Sequence, residues 1–264
     1  MESGLKGKKC LITGGHTGIG LGMARALAAE GVELVIAGRH ETPGTLQELE
    51  RLGGKAVFRK VDVSDEKQVV DMVQWATETS GVLDIFINNS ATALHEPVTR
   101  VTSTNFFKTI NTNLAACVWA GREVAKHMIS RRTGSILITG STVRFCPAYT
   151  ESAYRISKMG LKMYMETLAI ELAPYGIRVN MLTPGYYPTK LTSGMSPETE
   201  AKHLAEIPLR RSGDPSECGG AAVFLLSDRL SSYTTGAEIV IDGGLSLRPL
   251  PLRTDEEILK LNLP

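Results

Sequence analysis

The sequence predicts an α/β protein in which helices cover both faces of one doubly wound sheet of about seven parallel strands. Seven short runs of β-forming residues recur along the chain, and most are dominated by Val, Ile and Leu without polar alternation. That pattern is typical of strands buried on both faces. Helical segments separate successive runs, as crossovers between parallel strands require. We expect strands at residues 10–13, 34–37, 56–61, 84–88, 135–139, 178–182 and 238–241.

The helices that connect these strands are marked by residues that favour a first helical turn, namely Ser, Thr, Asp and Pro. Each predicted helix carries such a residue or continues a motif described below. The predicted helices are 21–30, a helix through 79 opened by Ser64 and Asp65, one toward 130 opened by Ser103 or Thr104, one at about 151–173, and one through 227 opened by Asp214 and Pro215.

No linker interrupts this alternation, so we expect residues 1–264 to form a single domain. Two segments stand apart from it. Residues 191–209 are polar and amphipathic, which predicts a lid inserted after a strand. Residues 248–264 carry three prolines and are expected to form an appendage that packs against another subunit.

Composition excludes several classes of function. The 29 basic and 28 acidic residues are intermixed and give a net charge of +1, so no basic stripe predicts a nucleic-acid partner. No apolar run reaches the length of a membrane span, and the first one ends at Thr13, which is too short for a signal-peptide core. The four cysteines form no C-x-x-C pair, so we expect no metal site and a cytoplasmic protein with reduced thiols.

A glycine-rich turn follows the first predicted strand and precedes a helix. Glycines let the chain turn tightly, bring N–H groups close to a pyrophosphate, and pack the helix against the sheet. The turn predicts a dinucleotide site of Rossmann type, although a plain strand-to-helix turn without a ligand is the alternative. Its expected cofactor contacts are Thr13, Gly14, His16, Thr17, Gly18, Ile19 and Gly20, with a mobile loop histidine as the alternative for His16.

The end of the second strand indicates which cofactor binds. An acidic residue there would bind the ribose 2′-hydroxyl, but this chain has Arg39, whose planar donors suit a 2′-phosphate. We therefore expect NADP rather than NAD, and a solvated arginine is the alternative. Asp62 and Val63 follow the third strand, where adenine is contacted.

A tyrosine and a lysine four residues apart supply candidate catalytic groups. Tyr154 and Lys158 lie in a predicted helix, so both side chains are on one face. Tyr186 and Lys190 have the same spacing, but the prolines and glycine around them prevent a regular helix. Ser141 lies thirteen residues before Tyr154, at the C-terminal end of the predicted strand 135–139 and thus at the sheet edge where ligands bind in such folds.

These three groups predict a proton-transfer site beside the glycine turn. An ammonium about 4.5 Å from a phenol, at an effective dielectric of about 20, favours phenolate by up to about 3.7 kcal/mol, or about 2.7 pKa units. We therefore expect Lys158 to bring the pKa of Tyr154 near the working pH.

With these residues in place, the sequence resembles the short-chain dehydrogenase/reductase family over residues 5 to about 247. The family's motifs occur in the expected order. They are the cofactor turn (Thr13, Gly14, Gly18, Gly20), the adenine contact Asp62, the strand-four pair Asn88-Asn89, the helix residue Asn113, the catalytic Ser141, Tyr154 and Lys158, the loop Pro184-Gly185 with Thr189, and the closing Asp242-Gly243-Gly244.

The resemblance implies an oxidoreductase that transfers a hydride between NADP(H) and a carbonyl or secondary alcohol. It implies that Tyr154 is the general acid or base, that Ser141 donates to the substrate oxygen, and that Lys158 holds the ribose. Asn113 would help to position a water in a proton relay, and Asn89, Pro184, Gly185 and Thr189 would contact the cofactor. It also implies a homotetramer, or else a dimer, formed through two long helices.

The chain departs from the family pattern at three places. Ser90-Ala91 follows Asn89 where the family usually has Ala-Gly, and Thr17 replaces the basic residue that NADP-preferring members often carry. Arg39 is therefore the main support for NADP. The segment after Leu247 is longer than the simplest members need.

The substrate is a small molecule whose class the sequence leaves open among sugars, polyols, hydroxy or keto acids and cyclic ketones. We expect the pocket to be bounded by Val143, Arg144, Cys146, Tyr149, Tyr186 and Tyr187. Arg144 can bind an acidic substrate or form a surface salt bridge. The alternative function is a nucleotide-binding regulator or scaffold without turnover, which would be expected to lack Tyr154 or Lys158.

Overall fold

The computed structural model describes residues 2–193 and 195–247, and its strands form one parallel sheet. The strands are β1 (Lys9–Thr13), β2 (Glu33–Gly38), β3 (Ala56–Lys60), β4 (Ile85–Asn88), β5 (Gly134–Thr139), β6 (Ile177–Pro184) and β7 (Glu238–Ile241). Their order in the sheet is β3-β2-β1-β4-β5-β6-β7, and each neighbouring pair is parallel. The predicted doubly wound sheet of seven parallel strands is confirmed.

Helices cover both faces of this sheet. They are α1 (Gly18–Ala29), α2 (Thr45–Arg51), α3 (Glu66–Ser80), α4 (Ser103–Ile110), α5 (Ala116–Arg131), α6 (Ser152–Leu172), α7 (Pro197–Ala205) and α8 (Glu217–Leu226). Helices α3, α5 and α6 bury apolar side chains against one face, whereas α1, α2 and α8 cover the other. Within the described ranges, no helix is long and apolar enough to cross a membrane.

Alternation along each central strand divides the core into these two layers. In β1, Leu11 belongs to the layer of α3, α5 and α6, whereas Cys10 and Ile12 belong to the layer of α1 and α8. Because successive strand side chains point to opposite faces, an uninterrupted apolar strand packs against helices on both sides.

On the second face, α1 approaches the start of α8 at a glycine. A Cβ atom added to Gly22 would lie 2.0 Å from the backbone oxygen of Pro215. Only glycine permits this approach, which fixes α1 against α8 and so orients the helix that begins at the glycine turn.

The long helix predicted to begin at Ser103 or Thr104 is divided in the structure. A π-helical turn (Asn111–Ala115) separates α4 from α5. The N-cap residue of α4 is Thr102, whose hydroxyl accepts from the Asn105 N–H at 3.2 Å. Sequence periodicity did not predict this turn or the short helix α2. The predicted lid includes α7, capped by Ser196. The predicted C-terminal appendage, residues 248–264, lies outside the described residues.

Candidate active site

A groove with a volume of about 660 Å³ opens at the carboxyl edge of the sheet. It lies where β1 has β2 on one side and β4 on the other, the switch point at which ligands bind in doubly wound folds. Most of the predicted cofactor contacts line it. They are Gly14, His16, Thr17, Gly18, Ile19, Gly20, Arg39, Asp62, Val63, Asn89, Tyr154, Lys158, Pro184 and Thr189.

Two predicted contacts, Thr13 and Gly185, do not line the groove. The Thr13 hydroxyl accepts from the N–H groups of Asn89 at 3.0 Å and Ser90 at 3.1 Å, so it joins the end of β1 to the end of β4. A Cβ atom on Gly185 would lie 2.6 Å from the Cα of Asp242. Both residues therefore lie outside the groove lining and position the residues that form it.

Three positions of the glycine turn, Gly14, Gly18 and Gly20, require glycine. Gly14 and Gly18 have φ angles of 69° and 52°, in the region that side chains with a Cβ disfavour. A Cβ on Gly20 would lie 2.1 Å from the Gly14 oxygen. Thr17 is the N-cap residue of α1, but its side chain makes no capping hydrogen bond. The N–H groups of the first helical turn are therefore available to an anion.

Asn89 holds this turn from the neighbouring strand. Its amide nitrogen donates to the backbone oxygens of Thr13 at 3.1 Å and Gly14 at 3.3 Å, and its amide oxygen accepts from Thr139 at 3.3 Å. Although Asn89 lines the groove, its polar atoms brace the turn. The replacement of Ala-Gly by Ser90-Ala91 leaves this brace intact.

The far end of the groove carries the groups predicted to bind the adenosine half of the cofactor. The Asp62 carboxylate accepts from the Ser64 hydroxyl at 2.7 Å and the Ser64 N–H at 3.0 Å. These hydrogen bonds, assisted by Arg39, lower the pKa of Asp62. Arg39 lines the groove, is exposed, and makes no hydrogen bond or ion pair within the described part of the chain. Its guanidinium donors are therefore available to a ligand in the groove.

His16 lines the groove between its two ends. The imidazole stands edge-on to Phe58 at 5.9 Å and covers Gly38. Its Nδ1 is buried and has no hydrogen-bond partner among the described residues. Burial, with the charges of Lys190 and His40, lowers the pKa of His16. A neutral imidazole beside two basic groups leaves this stretch of the groove suited to an anion.

The predicted catalytic groups converge where the groove reaches β5. Ser141 and Tyr154 are each 8 % exposed and Lys158 is 2 % exposed. The Lys158 ammonium donates to the backbone oxygen of Thr139 at 2.9 Å and lies 5.7 Å from the centre of the Tyr154 ring. The strand end supplies the hydroxyl and one face of α6 supplies the phenol and the amine, as the spacing predicted.

The expected ionisation of Tyr154 was wrong for this structure. Burial raises the pKa of Tyr154 to about 12, although hydrogen bonding with Ser141 acts in the opposite direction. Burial also lowers the pKa of Lys158 to about 8. The prediction counted the attraction between ammonium and phenolate but omitted the cost of desolvating each charge. At neutral pH the site therefore holds a neutral phenol, which is a proton donor.

Asn113 lies in the π-helical turn and is fully buried. Its amide oxygen accepts from the Thr92 N–H at 2.8 Å, and its nitrogen donates to the Thr92 oxygen at 2.9 Å and the Ser157 hydroxyl at 3.0 Å. These bonds occupy the side chain, so it ties the loop after β4 to α6 and does not itself point a free group at a water.

Two residues predicted to bound the substrate pocket point elsewhere. Tyr187 is 3 % exposed, packs in the core layer of α1 and α8, and donates to the Ile241 oxygen at 3.2 Å. Tyr186 donates to Glu200 at 2.8 Å, and its ring lies against His203. The first is a core residue and the second anchors α7.

The residues after Ser141 also differ from their expected roles. The Arg144 side chain is 4 % exposed and pairs with Glu238, so it forms neither a surface salt bridge nor a free anion site. Tyr149 is 96 % exposed, whereas the Cys146 thiol lies 3.7 Å from the Leu245 oxygen. Val143 lies beside Ser141, as predicted, with its N–H 3.4 Å from the Ser141 hydroxyl.

Sequence reasoning missed Glu151, which lies three residues before Tyr154. Its carboxyl is 18 % exposed, with Oε1 3.8 Å from Nδ1 of His95 and Oε2 buried without a hydrogen-bond partner in the described ranges. Burial raises the pKa of Glu151, and its charge in turn raises the pKa of Tyr154. An acidic residue three positions before Tyr154, about one helical turn away, was the signal available in the sequence.

Comparison with known proteins identifies relatives along nearly the whole chain. The family model described as enoyl-(acyl carrier protein) reductase matches residues 14–246. A 3-oxoacyl-[acyl-carrier-protein] reductase FabG of Chlamydia pneumoniae is 36% identical over 248 residues, covering 93% of this chain and 100% of the relative. Glucose 1-dehydrogenase 2 of Bacillus subtilis is 33% identical over 258 residues, covering 96% and 100%.

Solved structures give the same result. A short-chain type dehydrogenase/reductase from Mycobacterium marinum has a TM-score of 0.85 and 33% identity, covering 91% of this chain and 96% of that one. An Agrobacterium tumefaciens protein assigned as a 2-deoxy-D-gluconate 3-dehydrogenase, with bound NADP, has a TM-score of 0.87 and 30% identity, covering 94% and 99%.

Proposed function

The chain belongs to the short-chain dehydrogenase/reductase family of oxidoreductases, and we propose that it transfers a hydride between NADP(H) and the carbonyl or secondary alcohol carbon of a small hydroxylated substrate. One observation carries this proposal. One groove joins the glycine turn and Arg39 at one end to the buried Tyr154 and Lys158 at the other, and the buried Ser141 is hydrogen-bonded to Tyr154. Proton donor and cofactor cradle thus share one cavity.

The groove fits a dinucleotide. The close approach of Gly20 to Gly14 leaves no room for a side chain beside the uncapped start of α1, where a pyrophosphate is stabilised by backbone N–H groups. A bound nicotinamide would supply or accept the hydride. Ser141 would donate a hydrogen bond to the substrate oxygen, and Tyr154 would donate the proton that this oxygen needs in reduction.

Lys158 acts on the tyrosine and would hold the ribose of a bound cofactor. Its bond to the Thr139 oxygen fixes the ammonium beside the phenol ring. A positive charge there stabilises the phenolate that remains after the proton is donated. In alcohol oxidation the same charge favours loss of the phenol proton, so one arrangement serves both directions.

The preference for NADP rests on Arg39. An exposed guanidinium about 4 Å from a phosphate gains about 1 kcal/mol per charge in water, and a 2′-phosphate carries nearly two charges. Arg39→Ala should therefore raise the dissociation constant of NADPH by about 10- to 30-fold. The constant for NADH should change by less than about 2-fold.

Fluorescence titration of both cofactors against wild type, Arg39→Ala and Arg51→Ala tests this preference. Arg51 is the matched control because it is exposed on α2 and does not line the groove. Equal weakening of NADPH and NADH in the Arg39 variant, or tighter binding of NADH by wild type, would exclude the proposed cofactor choice.

For the substrate we propose a neutral sugar, polyol or hydroxyketone. Glu151 is the N-cap residue of α6, three residues before Tyr154, and its Oε2 has no hydrogen-bond partner among the described residues. A carboxyl accepts hydrogen bonds from hydroxyl groups. The same charge would repel a hydroxy or keto acid. The names of the relatives span sugars and acyl carriers, so they do not choose between these classes.

A carbonyl and alcohol panel, read at the nicotinamide absorbance with both cofactors, tests the substrate class. Wild type should favour neutral hydroxylated compounds, and Glu151→Gln should lower kcat/KM for them by about 10-fold while leaving a simple cyclic ketone within about 2-fold. Higher kcat/KM for acids than for their neutral analogues in wild type would contradict the assignment.

We further propose a cytoplasmic homotetramer, with a dimer as the next alternative. The outer face of α6 exposes Ile156, Met159, Met163 and Ile170 by 52, 46, 53 and 76 %, an apolar stripe of the kind that packs against another subunit. The four cysteines are unpaired, as in a reducing compartment. Sedimentation that shows only a monomer at micromolar concentration would rule the assembly out.

A further inference from the structure

A buried group of charges lies behind the catalytic serine and plays no part in the mechanism above. Arg144 pairs with Glu238 at the start of β7, and the Glu238 carboxylate also accepts from the Thr183 hydroxyl of β6. Lys162 of α6 lies 3.7 Å from the same carboxylate and 3.0 Å from Glu166. The side chains of Arg144, Glu238 and Lys162 are 4, 13 and 16 % exposed.

Arg144 belongs to the same turn as the catalytic serine. Residues Thr142–Arg144 form a 3₁₀ turn, in which the Arg144 N–H donates to the Ser141 oxygen at 3.4 Å. The Ser141 hydroxyl caps that turn by accepting from the Val143 N–H at 3.4 Å. A displacement of Arg144 therefore moves the serine, which is three residues away.

The carboxylate reaches the other side of the serine through β6. Thr183, which donates to Glu238, packs against Gly140, where an added Cβ would lie 2.4 Å from the threonine oxygen. Gly140 separates Ser141 from Thr139, whose backbone oxygen holds the Lys158 ammonium. Glu238 thus contacts the turn after Ser141 directly and reaches Gly140, the residue before it, through Thr183.

Stability alone does not account for this arrangement. Desolvating two charges costs more free energy than a single ion pair usually returns, and apolar replacement of both partners is often neutral. Here the Arg144 Nε is buried without a hydrogen-bond partner among the described residues, so the pair is not fully satisfied. A pair of this kind is more valuable for the position it fixes than for the free energy it contributes.

We propose that Arg144 and Glu238 are positioning residues, which hold Ser141 at the distance from Tyr154 that proton donation to the substrate requires. This inference rests on the proposed function. The pair also removes the only arginine of the turn from the substrate side, which agrees with a neutral substrate.

The test compares Arg144→Met, Glu238→Gln and the double variant Arg144→Met/Glu238→Met. Arg144→Met should lower kcat on the order of 10- to 100-fold, because a misplaced donor acts mainly on the transition state. The dissociation constant of NADPH should stay within about 2-fold, since the glycine turn is untouched. The double variant should recover the melting temperature of wild type while its kcat remains about 10-fold low or lower.

Two results would overturn the inference. One is recovery of both the melting temperature and kcat in the double variant, which would make the pair structural. The other is a wild-type kcat in either soluble single variant. Glu238→Gln keeps the shape and the acceptor for Thr183, so it remains informative if Arg144→Met does not fold.

The proposed function and this inference fail in different ways. Wild type that turns over no carbonyl compound, and so does not differ from Tyr154→Phe, would refute the proposed function. Active wild type whose kcat is unaffected by the substitutions would refute only the positioning role.

Discussion

Replacing Lys158 should change the free energy of unfolding by an amount that depends on pH. Compared with wild type, the variant should be favoured at neutral pH and lose this advantage at alkaline pH. Lys158 is 2 % exposed, and burial lowers its pKa from 10.5 to about 8. Between these two values the unfolded chain binds more protons than the folded chain. The free energy of unfolding of wild type therefore rises with pH across this window.

The size of the effect follows from these two pKa values. The charge on buried Lys158 costs the folded state about 3 kcal/mol at pH 7 and about 2 kcal/mol at pH 9. Lys158→Met removes this cost but leaves the Thr139 oxygen without the lysine donor, which costs about 1 to 3 kcal/mol at every pH. The free energy of unfolding of the variant should thus match or exceed that of wild type at pH 7 and fall by about 1 kcal/mol relative to it by pH 9.

Urea unfolding without cofactor, at equal protomer concentration and at pH 7 and pH 9, measures this difference. Methionine fits the site because it is unbranched and of similar length. Lys162→Met is the control, since Lys162 lies on the same helix as Lys158 and its ammonium is paired with Glu166 and lies 3.7 Å from Glu238. A stability difference between Lys158→Met and wild type that stays constant from pH 7 to pH 9 would refute the reasoning.

Three further predictions concern the phenol, the π-helical turn and the helix contact beneath the glycine turn. Tyr154→Phe should lower kcat by about 1000-fold or more in the nicotinamide assay, with NADPH binding unchanged in fluorescence titration, because only the proton donor is lost. Asn113→Leu should reduce the urea-unfolding free energy by about 2 to 4 kcal/mol, since buried polar groups lose their partners. Gly22→Ala should destabilise by about 1 to 3 kcal/mol through its clash with Pro215. Gly220→Ala, with nothing within 4 Å of the added Cβ, should not destabilise. Equal effects of Gly22→Ala and Gly220→Ala on the urea-unfolding free energy would contradict the close contact at Gly22. Turnover near the wild-type level in Tyr154→Phe would contradict the first prediction, and an unchanged unfolding curve for Asn113→Leu would contradict the second.

The sheet could be predicted from the sequence because its signal is local. Most of the seven strands are dominated by apolar residues, and the structure places all seven within one or two residues of the expected bounds. The π-helical turn Asn111–Ala115 was missed because one extra residue in a turn barely changes the spacing of apolar positions. Helix α2 has seven residues, of which only Thr45 and Leu49 are buried, so it has little apolar periodicity to detect.

The catalytic groups could also be placed from the sequence, but their surroundings could not. Ser141, Tyr154 and Lys158 converge because a strand end and one helix face fix them. Tyr187 and Arg144 were misassigned because their partners, Ile241 and Glu238, lie 54 and 94 residues away. Such pairings are set by the order of the strands, which spacing along the chain does not reveal.

Burial also explains why the ionisation of Tyr154 differs from the expectation, and it determines the protonation state of the site. The low dielectric that raises the pKa of Tyr154 and lowers that of Lys158 opposes both charges at once. At neutral pH the site therefore keeps its proton on the phenol, which suits donation to a carbonyl oxygen. Oxidation of an alcohol instead requires a phenolate, whose formation depends on Lys158 being charged. Burial thus favours the neutral phenol, and the ammonium beside it stabilises the phenolate.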